Sequence, residues 1–168
     1  MNIPTNSHNF EPILNTILFD IVFNKNYTFN DIIIVQNYSS IKLPTTLINV
    51  CQYFDGLYGI PYKHFTNKEY QSLYHGDTFS ENSLTVIDHF DPYLTAEIER
   101  ILNKKFTLNK QSKVRKKLNE HISDLITLQK IMKTQLIIYC QSSELLYTGL
   151  LYTDLIENND NIIKLDFI

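Results

Sequence analysis

The spacing of apolar residues changes near residue 134 of this 168-residue chain, and that change constrains the fold more than any other feature. Through residues 9–24, 44–58 and 111–133, apolar side chains recur every three or four positions, as they do on one face of a helix. Later segments instead read as short strands separated by polar turn signals. Helices followed by strands predict an α+β fold. The strands are predicted at 135–141, 145–153 and 162–168, with a turn at 158–161.

We therefore predict a single domain over residues 1–168, with a helical body over about 9–133, a long C-terminal helix and a three-stranded antiparallel β-meander over about 135–168. Residues 28–38 are ambiguous. Their β-branched run suits a buried strand, whereas Asn30 and Asp31 could cap a helix, and we favour the helix. The remaining predictions are a helix over 66–76, a loop with a short helix over 77–92, and a helix over 93–106.

Charge is sorted along the chain. Residues 100–133 hold ten of the 15 Lys and Arg residues but only two acids, whereas residues 54–99 hold eight acids and two lysines. Carboxylates displayed in this way can complement a Lys- and Arg-lined surface on another protein. The candidate acidic contact residues are Asp77, Glu81, Asp88, Asp91, Glu97, Asp154, Glu157 and Asp160.

The basic segment supports an alternative function, a nucleic-acid-binding regulator that uses residues 100–117. The cations would occupy the exposed arc of a helix and could neutralise several phosphates, with an affinity that falls steeply with salt. A sequence pI near 5.9 and the position of the cations at a helix N-terminus argue against this function. The candidate residues are Lys104, Lys105, Lys110, Lys113, Arg115, Lys116 and Lys117.

Familiar catalytic motifs are missing from the sequence. Its four glycines cannot build a phosphate-binding loop, so no nucleotide cofactor is predicted. His64, His75 and His89 lie close in sequence to several aspartates, but their spacing fits no metal motif; a metal-dependent hydrolase is a second alternative. Cys51 and Cys140 both look like small, reduced core residues. We therefore predict no metal and no catalytic residue.

An aromatic stretch extends from Tyr53 to Tyr74 and has few basic residues within it, which argues against base stacking. Packing in the core is the expected fate of most of these rings. Tyrosines left on the surface would favour a protein partner. The stretch consists of Tyr53, Phe54, Tyr58, Tyr62, Phe65, Tyr70 and Tyr74.

The chain resembles the small host-takeover proteins of phages that infect low-GC Gram-positive bacteria, a group that includes sliding-clamp inhibitors. The resemblance rests on length, on abundant Ile, Asn, Lys and Tyr, and on the acidic segments 77–99 and 154–166. It implies a non-enzymatic homodimer that enters the basic DNA channel of the bacterial DNA polymerase III sliding clamp and blocks loading onto DNA. A cytoplasmic location is expected, because no signal peptide or apolar run of ~18–20 residues occurs.

Overall fold

The computed structural model describes residues 2–24, 32–65, 82–88, 100–101, 103, 110–141 and 162–168. Within these residues, six strands form one sheet in the order β1-β6-β2-β5-β4-β3, and every neighbouring pair is parallel. The strands are β1 (Asn2–Thr5), β2 (Ile32–Asn37), β3 (Tyr62–Phe65), β4 (Ser83–Asp88), β5 (Thr134–Gln141) and β6 (Ile162–Phe167), and the helices are α1 (Phe10–Phe19), α2 (Pro44–Tyr58) and α3 (Lys110–Met132).

The architecture is therefore α/β, and the predicted α+β fold with an antiparallel meander is wrong. Strands at 135–141 and 162–168 are confirmed, but β2 lies between them and pairs in parallel with both. Parallel strands need a long crossover rather than a hairpin, and residues 142–161 separate β5 from β6. The predicted strand at 145–153 and the turn at 158–161 lie outside the described residues.

β2 corrects the helix favoured for residues 28–38. All six residues of Ile32–Asn37 are buried, so both faces of this strand are covered. Strands in a parallel sheet are usually covered on both faces and read as nearly continuous apolar runs. The run of β-branched side chains, which are stiff at χ1, accordingly packs as an interior strand. A strand also replaces the predicted loop at Ser83–Asp88.

The three helices with the clearest apolar spacing are confirmed. α2 begins with Pro44 in its first turn and ends before Gly59, whose φ of 65° and N–H bond to the Asp55 carbonyl (2.9 Å) terminate the helix. α1 continues as a π-helical segment at Asp20–Asn24. The long helix α3 follows β4 and precedes β5 in the chain. It therefore connects two strands of the sheet and is not the last helix of a separate helical body. The helix predicted over 66–76 lies outside the described residues.

The core lies between α1, α2 and one face of the sheet. Cys51 and Phe54 from α2 are fully buried, as predicted for Cys51. They join a cluster in which alternate strand residues supply the other side; its most buried members are Leu14, Leu18, Ile33, Val35, Leu47, Leu84, Val86, Ile137 and Leu165. In the sheet, β1, β2 and β3 lie successively farther toward one edge, and β4, β5 and β6 lie successively farther back toward the other. Crossovers between parallel strands are right-handed, so α3, which connects β4 to β5 on the return, is assigned to the face opposite α1 and α2.

The junction of α3 and β5 is held tightly at the amino edge of the sheet. Lys133 is the single residue between them and adopts a left-handed φ of 50°. Its carbonyl accepts a hydrogen bond from the Asn82 N–H at 2.9 Å. The buried Thr134 hydroxyl lies 2.9 Å from the Ser83 hydroxyl and 2.7 Å from that of Thr85. These contacts account for the buried hydroxyls and align β4 with β5.

Candidate functional site

The middle of the sheet contains a topological switch point. β2 and β5 are neighbours, but the chain continues from β2 toward the β3 edge and from β5 toward the β6 side. Ligands of open parallel sheets bind in the crevice outside the carboxyl ends of the strands at such a point. Described polar residues at or beside these ends include Gln36, Asn37, Tyr38, Tyr139 and, one strand over, Asp166.

A buried ion pair lies on β6 beside this switch point. Lys164 is 1% exposed, and its Nζ lies 3.2 Å from Asp166 Oδ1, although that oxygen has no well-aligned hydrogen bond in the described structure. The Lys164 ammonium also donates to the Tyr38 hydroxyl at 3.3 Å. Burial alone would lower the pKa of Lys164. The Tyr38 hydrogen bond and the Asp166 charge outweigh burial, so the pKa lies above its ordinary value of 10.5.

The switch-point side chains are already engaged with one another. Asn37 Nδ2 donates to the Ile41 carbonyl at 2.6 Å and to the Tyr139 hydroxyl at 3.0 Å, and its Oδ1 accepts from the Ser39 N–H at 2.9 Å. This network shapes the turn after β2. The Lys164–Asp166 pair lies on the other face of the sheet, because these residues alternate with Leu165 and Phe167, which belong to the core beside α1 and α2.

Among the described residues, a cluster of exposed apolar side chains lies where α1, the π-helical segment and α2 meet. We call it the aromatic surface. Its members are between 41% and 58% exposed. Phe23 centres its ring 4.8 Å from that of Phe19 and 4.9 Å from that of Tyr58, so the rings form one cluster. The aromatic surface consists of Phe19, Phe23, Tyr53, Leu57 and Tyr58.

An open cleft of about 520 Å³ enters the helical layer at this surface, and we call it the aromatic cleft. Its walls include the rings of Phe19, Tyr53 and Tyr58, with Phe54 as a further aromatic member. Asn15 also lines the cleft, and its Oδ1 atom, which is inaccessible to solvent, has no hydrogen-bond partner in the described part of the chain. The remaining lining residues are Thr16, Ile17 and Asp20.

Most of the predicted acidic contact residues cannot be placed. Asp88 ends β4 at the carboxyl edge. The other seven lie outside the described residues, and they are Asp77, Glu81, Asp91, Glu97, Asp154, Glu157 and Asp160.

The basic segment is placed in part. Lys113 and Lys116 are exposed on α3, and Lys117 lies 3.9 Å from Glu120 across one helical turn. Lys116 also lines an open groove together with Glu120 and Asp124, so acids and cations alternate on this face. Lys110 and Arg115 belong to α3, whereas Lys104 and Lys105 lie outside the described residues. Nucleic-acid binding by this segment stays a prediction.

The histidine constellation remains untested as a whole. His64 lies on the edge strand β3, and His75 and His89 fall outside the described residues. Where the structure describes side chains, no three His, Cys, Asp or Glu residues come close enough together to hold a metal ion.

The predicted aromatic stretch contains two of the five residues of the aromatic surface. Tyr53 and Tyr58 belong to the predicted aromatic stretch. Of the five members of that stretch that the structure describes, Phe54 and Phe65 are buried and Tyr62 is half-buried, so burial is found for two and not for most. Phe19 and Phe23 were missed. Their signal was available, because they are spaced by four residues and lie outside the main apolar stripe of their helix.

Comparison with known proteins gives no relative: no family model, curated protein or solved structure matches this chain. Among the helices that the structure describes, none is long and apolar enough to cross a membrane.

Proposed function

We propose that this chain is a non-enzymatic binding protein that docks a partner protein through the aromatic surface. The single observation that supports the proposal is the cluster of half-exposed rings. Monomeric proteins rarely leave contiguous apolar patches in water without a use, and aromatic side chains often dominate the binding energy of protein interfaces. The rings of Phe19, Phe23 and Tyr58 contact one another, so they would present a preformed surface to the partner.

Charge supports a basic partner. The stretches 10–24 and 44–58, which form this helical layer, contain Glu11, Asp20 and Asp55 but no Lys, Arg or His. Glu11 and Asp55 are exposed. An aromatic patch bordered by carboxylates complements an apolar patch bordered by Lys and Arg, and charge of this kind steers association and excludes acidic partners.

The bacterial sliding clamp is the partner that we propose to test first. A clamp slides on DNA, so its channel must be basic, and the sequence resembles phage proteins that act on such host machinery. In this proposal the chain acts as a dimer in the host cytoplasm and blocks clamp loading. The acidic segments 77–99 and 154–166 would add to the carboxylates of the helical layer.

Affinity capture from a low-GC bacterial lysate tests the proposal. The bait variants are wild type, the double variant Phe23→Ser/Tyr53→Ser, and the control Ile131→Ser, which removes a 67% exposed apolar side chain from α3. Loss of central aromatic contacts typically costs about 2 kcal/mol or more each, which is about 30-fold in affinity. The double variant should therefore lose partners that both wild type and Ile131→Ser retain.

Two outcomes of the capture would contradict the proposal at different levels. Recovery of the same proteins by all three baits would dismiss the aromatic surface as the docking site. A lysate that contains the clamp but yields none on the wild-type bait would dismiss the clamp as partner.

The switch point between β2 and β5 favours a second candidate function, which is small-ligand binding at the carboxyl edge. A thermal-unfolding screen of nucleotides and sugar phosphates, at concentrations about 100-fold above Kd, should raise the unfolding temperature by about 5 °C for a true ligand. The rise should shrink in Gln36→Leu, because Gln36 is a buried polar residue at this edge. A screen in which no compound shifts the unfolding temperature would dismiss this candidate.

A further inference from the structure

We infer that the partner docks an amphipathic α-helix along the aromatic cleft, with an apolar stripe facing the cleft and Lys and Arg on both flanks. The inference rests on the proposed function and names the chemistry of the docked element. Both α1 and α2 connect parallel strands over the same face of the sheet, so the two helices run side by side in the same direction. Residues of both helices line the aromatic cleft, which therefore opens between them.

The exposed apolar side chains follow the axes of the two helices. Phe19 and Phe23 are four residues apart where α1 continues into the π-helical segment. Tyr53 and Leu57 are likewise four residues apart on α2. Four residues span about 6 Å of an α-helix, so each pair forms a short ridge along its own helix. Tyr58 joins the two ridges, with its ring centre 5.9 Å from that of Phe19. A third helix can pack its own ridge of residues i and i+4 between two such ridges.

The walls of the cleft offer little to an extended segment. An extended chain must find hydrogen-bond partners for its own N–H and C=O groups when it leaves water, and the backbone groups inside a helix are already paired. The Thr16 hydroxyl of the cleft donates to the Pro12 carbonyl at 2.8 Å, and Asn15 Oδ1 is inaccessible to solvent. A helix pairs its backbone groups internally and presents side chains to the cleft, so it needs no such partners.

The carboxylates beside the cleft favour a basic helix. Glu11 lies four residues before Asn15, which lines the cleft, and residues at this spacing are neighbours on a helix surface. Asp55 lies three residues before Tyr58 on α2. Both carboxylates are exposed, and neither forms an ion pair within the described part of the chain. The C-terminus of α2, which carries partial negative charge, also lies at this surface. Cations on the flanks of the docked helix would therefore meet favourable charge.

Charge also disfavours a second copy of this chain as the occupant. The two helices and the π-helical segment contain no Lys, Arg or His. In a symmetric dimer the same surface faces itself, so the carboxylates of α1 and α2 would meet their own copies without a compensating cation from these elements.

Titration of the full-length protein with synthetic peptides tests the inference. The probe has about 18 residues, with Leu at every third or fourth position, Lys on both flanks and Ala elsewhere, so that it can form a helix. One twin replaces every Lys by Glu, and the other replaces a central Ala by Pro, which breaks the helix and keeps every charge. Nuclear magnetic resonance follows the backbone amides of α1 and α2. We expect the Lys probe to bind at least about tenfold more tightly than either twin.

Matched variants locate the site. Tyr53→Ser removes a 53% exposed ring from the cleft, so it should weaken binding of the Lys probe at least about tenfold. Glu11→Gln/Asp55→Asn keeps the shape and removes two charges, so the preference for the Lys probe over its Glu twin should shrink. The control Glu120→Gln/Asp124→Asn removes two acids from the groove on α3 and should leave the affinity unchanged. Circular dichroism confirms that each variant is folded before its titration is interpreted.

Three results would overturn the inference. Equal affinity of the Lys probe and its Pro twin would show that the occupant need not be a helix. Equal affinity of the Lys probe and its Glu twin would dismiss the basic flanks. Signal changes confined to α3, or no change at about 1 mM of the Lys probe, would dismiss the aromatic cleft as the site.

The outcomes separate the inference from the proposed function. If capture of partners depends on Phe23 and Tyr53 but the Lys probe binds no better than its twins, the docking surface stands and the basic helix is wrong. If the Lys probe binds as expected but capture is unaffected by the aromatic variants, the cleft binds a basic helix and the proposed protein-docking function is wrong.

Discussion

Replacing Lys164 by methionine removes a buried charge from β6 at nearly constant volume. In the structure, the Lys164 side chain is 2% exposed and that of Asp166 is 14% exposed, with 3.2 Å between Nζ and Oδ1. Removing one partner of a buried pair typically costs about 3–5 kcal/mol, because the other charge stays desolvated. Asp166 retains some contact with water, so we expect Lys164→Met to cost about 3 kcal/mol.

The reciprocal change should cost more. Asp166→Leu leaves the ammonium enclosed, and among the described residues the Tyr38 hydroxyl at 3.3 Å is then its remaining hydrogen-bond acceptor, so we expect a cost of about 4–5 kcal/mol. In the double variant Lys164→Met/Asp166→Leu, neither charge is buried, and stability should return to within about 1 kcal/mol of wild type. The control Lys130→Met changes an exposed lysine on α3 and should alter stability by less than about 0.5 kcal/mol.

Urea denaturation followed by circular dichroism measures these differences. With a slope of about 2 kcal/mol per molar urea, a loss of 3 kcal/mol lowers the midpoint by about 1.5 M. An exposed ion pair contributes only about 0–1 kcal/mol. Single variants that each change stability by less than about 0.5 kcal/mol, with additive effects, would therefore refute the placement of β6 inside the sheet.

Three further predictions follow from buried or strained residues. The pKa of Lys164 is raised in the folded state, so its contribution to stability is complete below pH 10.5 and is lost as pH rises through the higher folded-state pKa. When urea midpoints are measured up to alkaline pH, they should therefore fall less steeply in Lys164→Met than in wild type. Parallel curves for the two proteins would contradict this. Burial raises the pKa of the Cys51 thiol from 9.0 to about 12. Alkylation of Cys51 at pH 8, followed by mass spectrometry, should therefore be about 10³-fold slower in the folded protein than in urea. A folded-state rate within tenfold of the unfolded rate would contradict the burial of Cys51. Lys133→Gly should raise the free energy of unfolding by about 0.5–1 kcal/mol, because glycine adopts the left-handed φ of 50° without steric strain. Lys133→Ala should not raise it. Equal urea midpoints for the two variants would contradict the left-handed backbone at this position.

Local signals made the helices predictable. α2 has Pro44 in its first turn and Gly59 just beyond its last residue, and both features depend only on nearby residues. The direction of the strands was not predictable in the same way. In β6, apolar and charged residues alternate: Ile163, Leu165 and Phe167 alternate with Lys164 and Asp166. Such alternation is typical of a strand with one face exposed to solvent. Only the tertiary structure shows that Lys164 is enclosed and neutralised by Asp166.

The aromatic surface was predictable only in part. The sequence predicts binding to a protein mainly through acidic residues, with exposed tyrosines as a further sign, and this function stays a prediction. Which rings remain exposed depends on the packing of two helices that are distant in sequence: Phe19 and Phe23 precede α2, and they meet Tyr58 at its end. No short stretch of the sequence contains the residues of both helices that form this surface. The aromatic cleft likewise needs Asn15 from α1 and Tyr53 from α2.

Hydroxyl-radical footprinting with a purified sliding clamp from a low-GC Gram-positive bacterium tests the docking claim most directly. Labelling of each residue is compared with and without saturating clamp. Tyr53 and Phe23 should become protected, whereas Tyr38, which is 49% exposed at the carboxyl edge, should be labelled equally in both states. Unchanged labelling of Tyr53 and Phe23 under saturating clamp would contradict docking of the clamp through the aromatic surface.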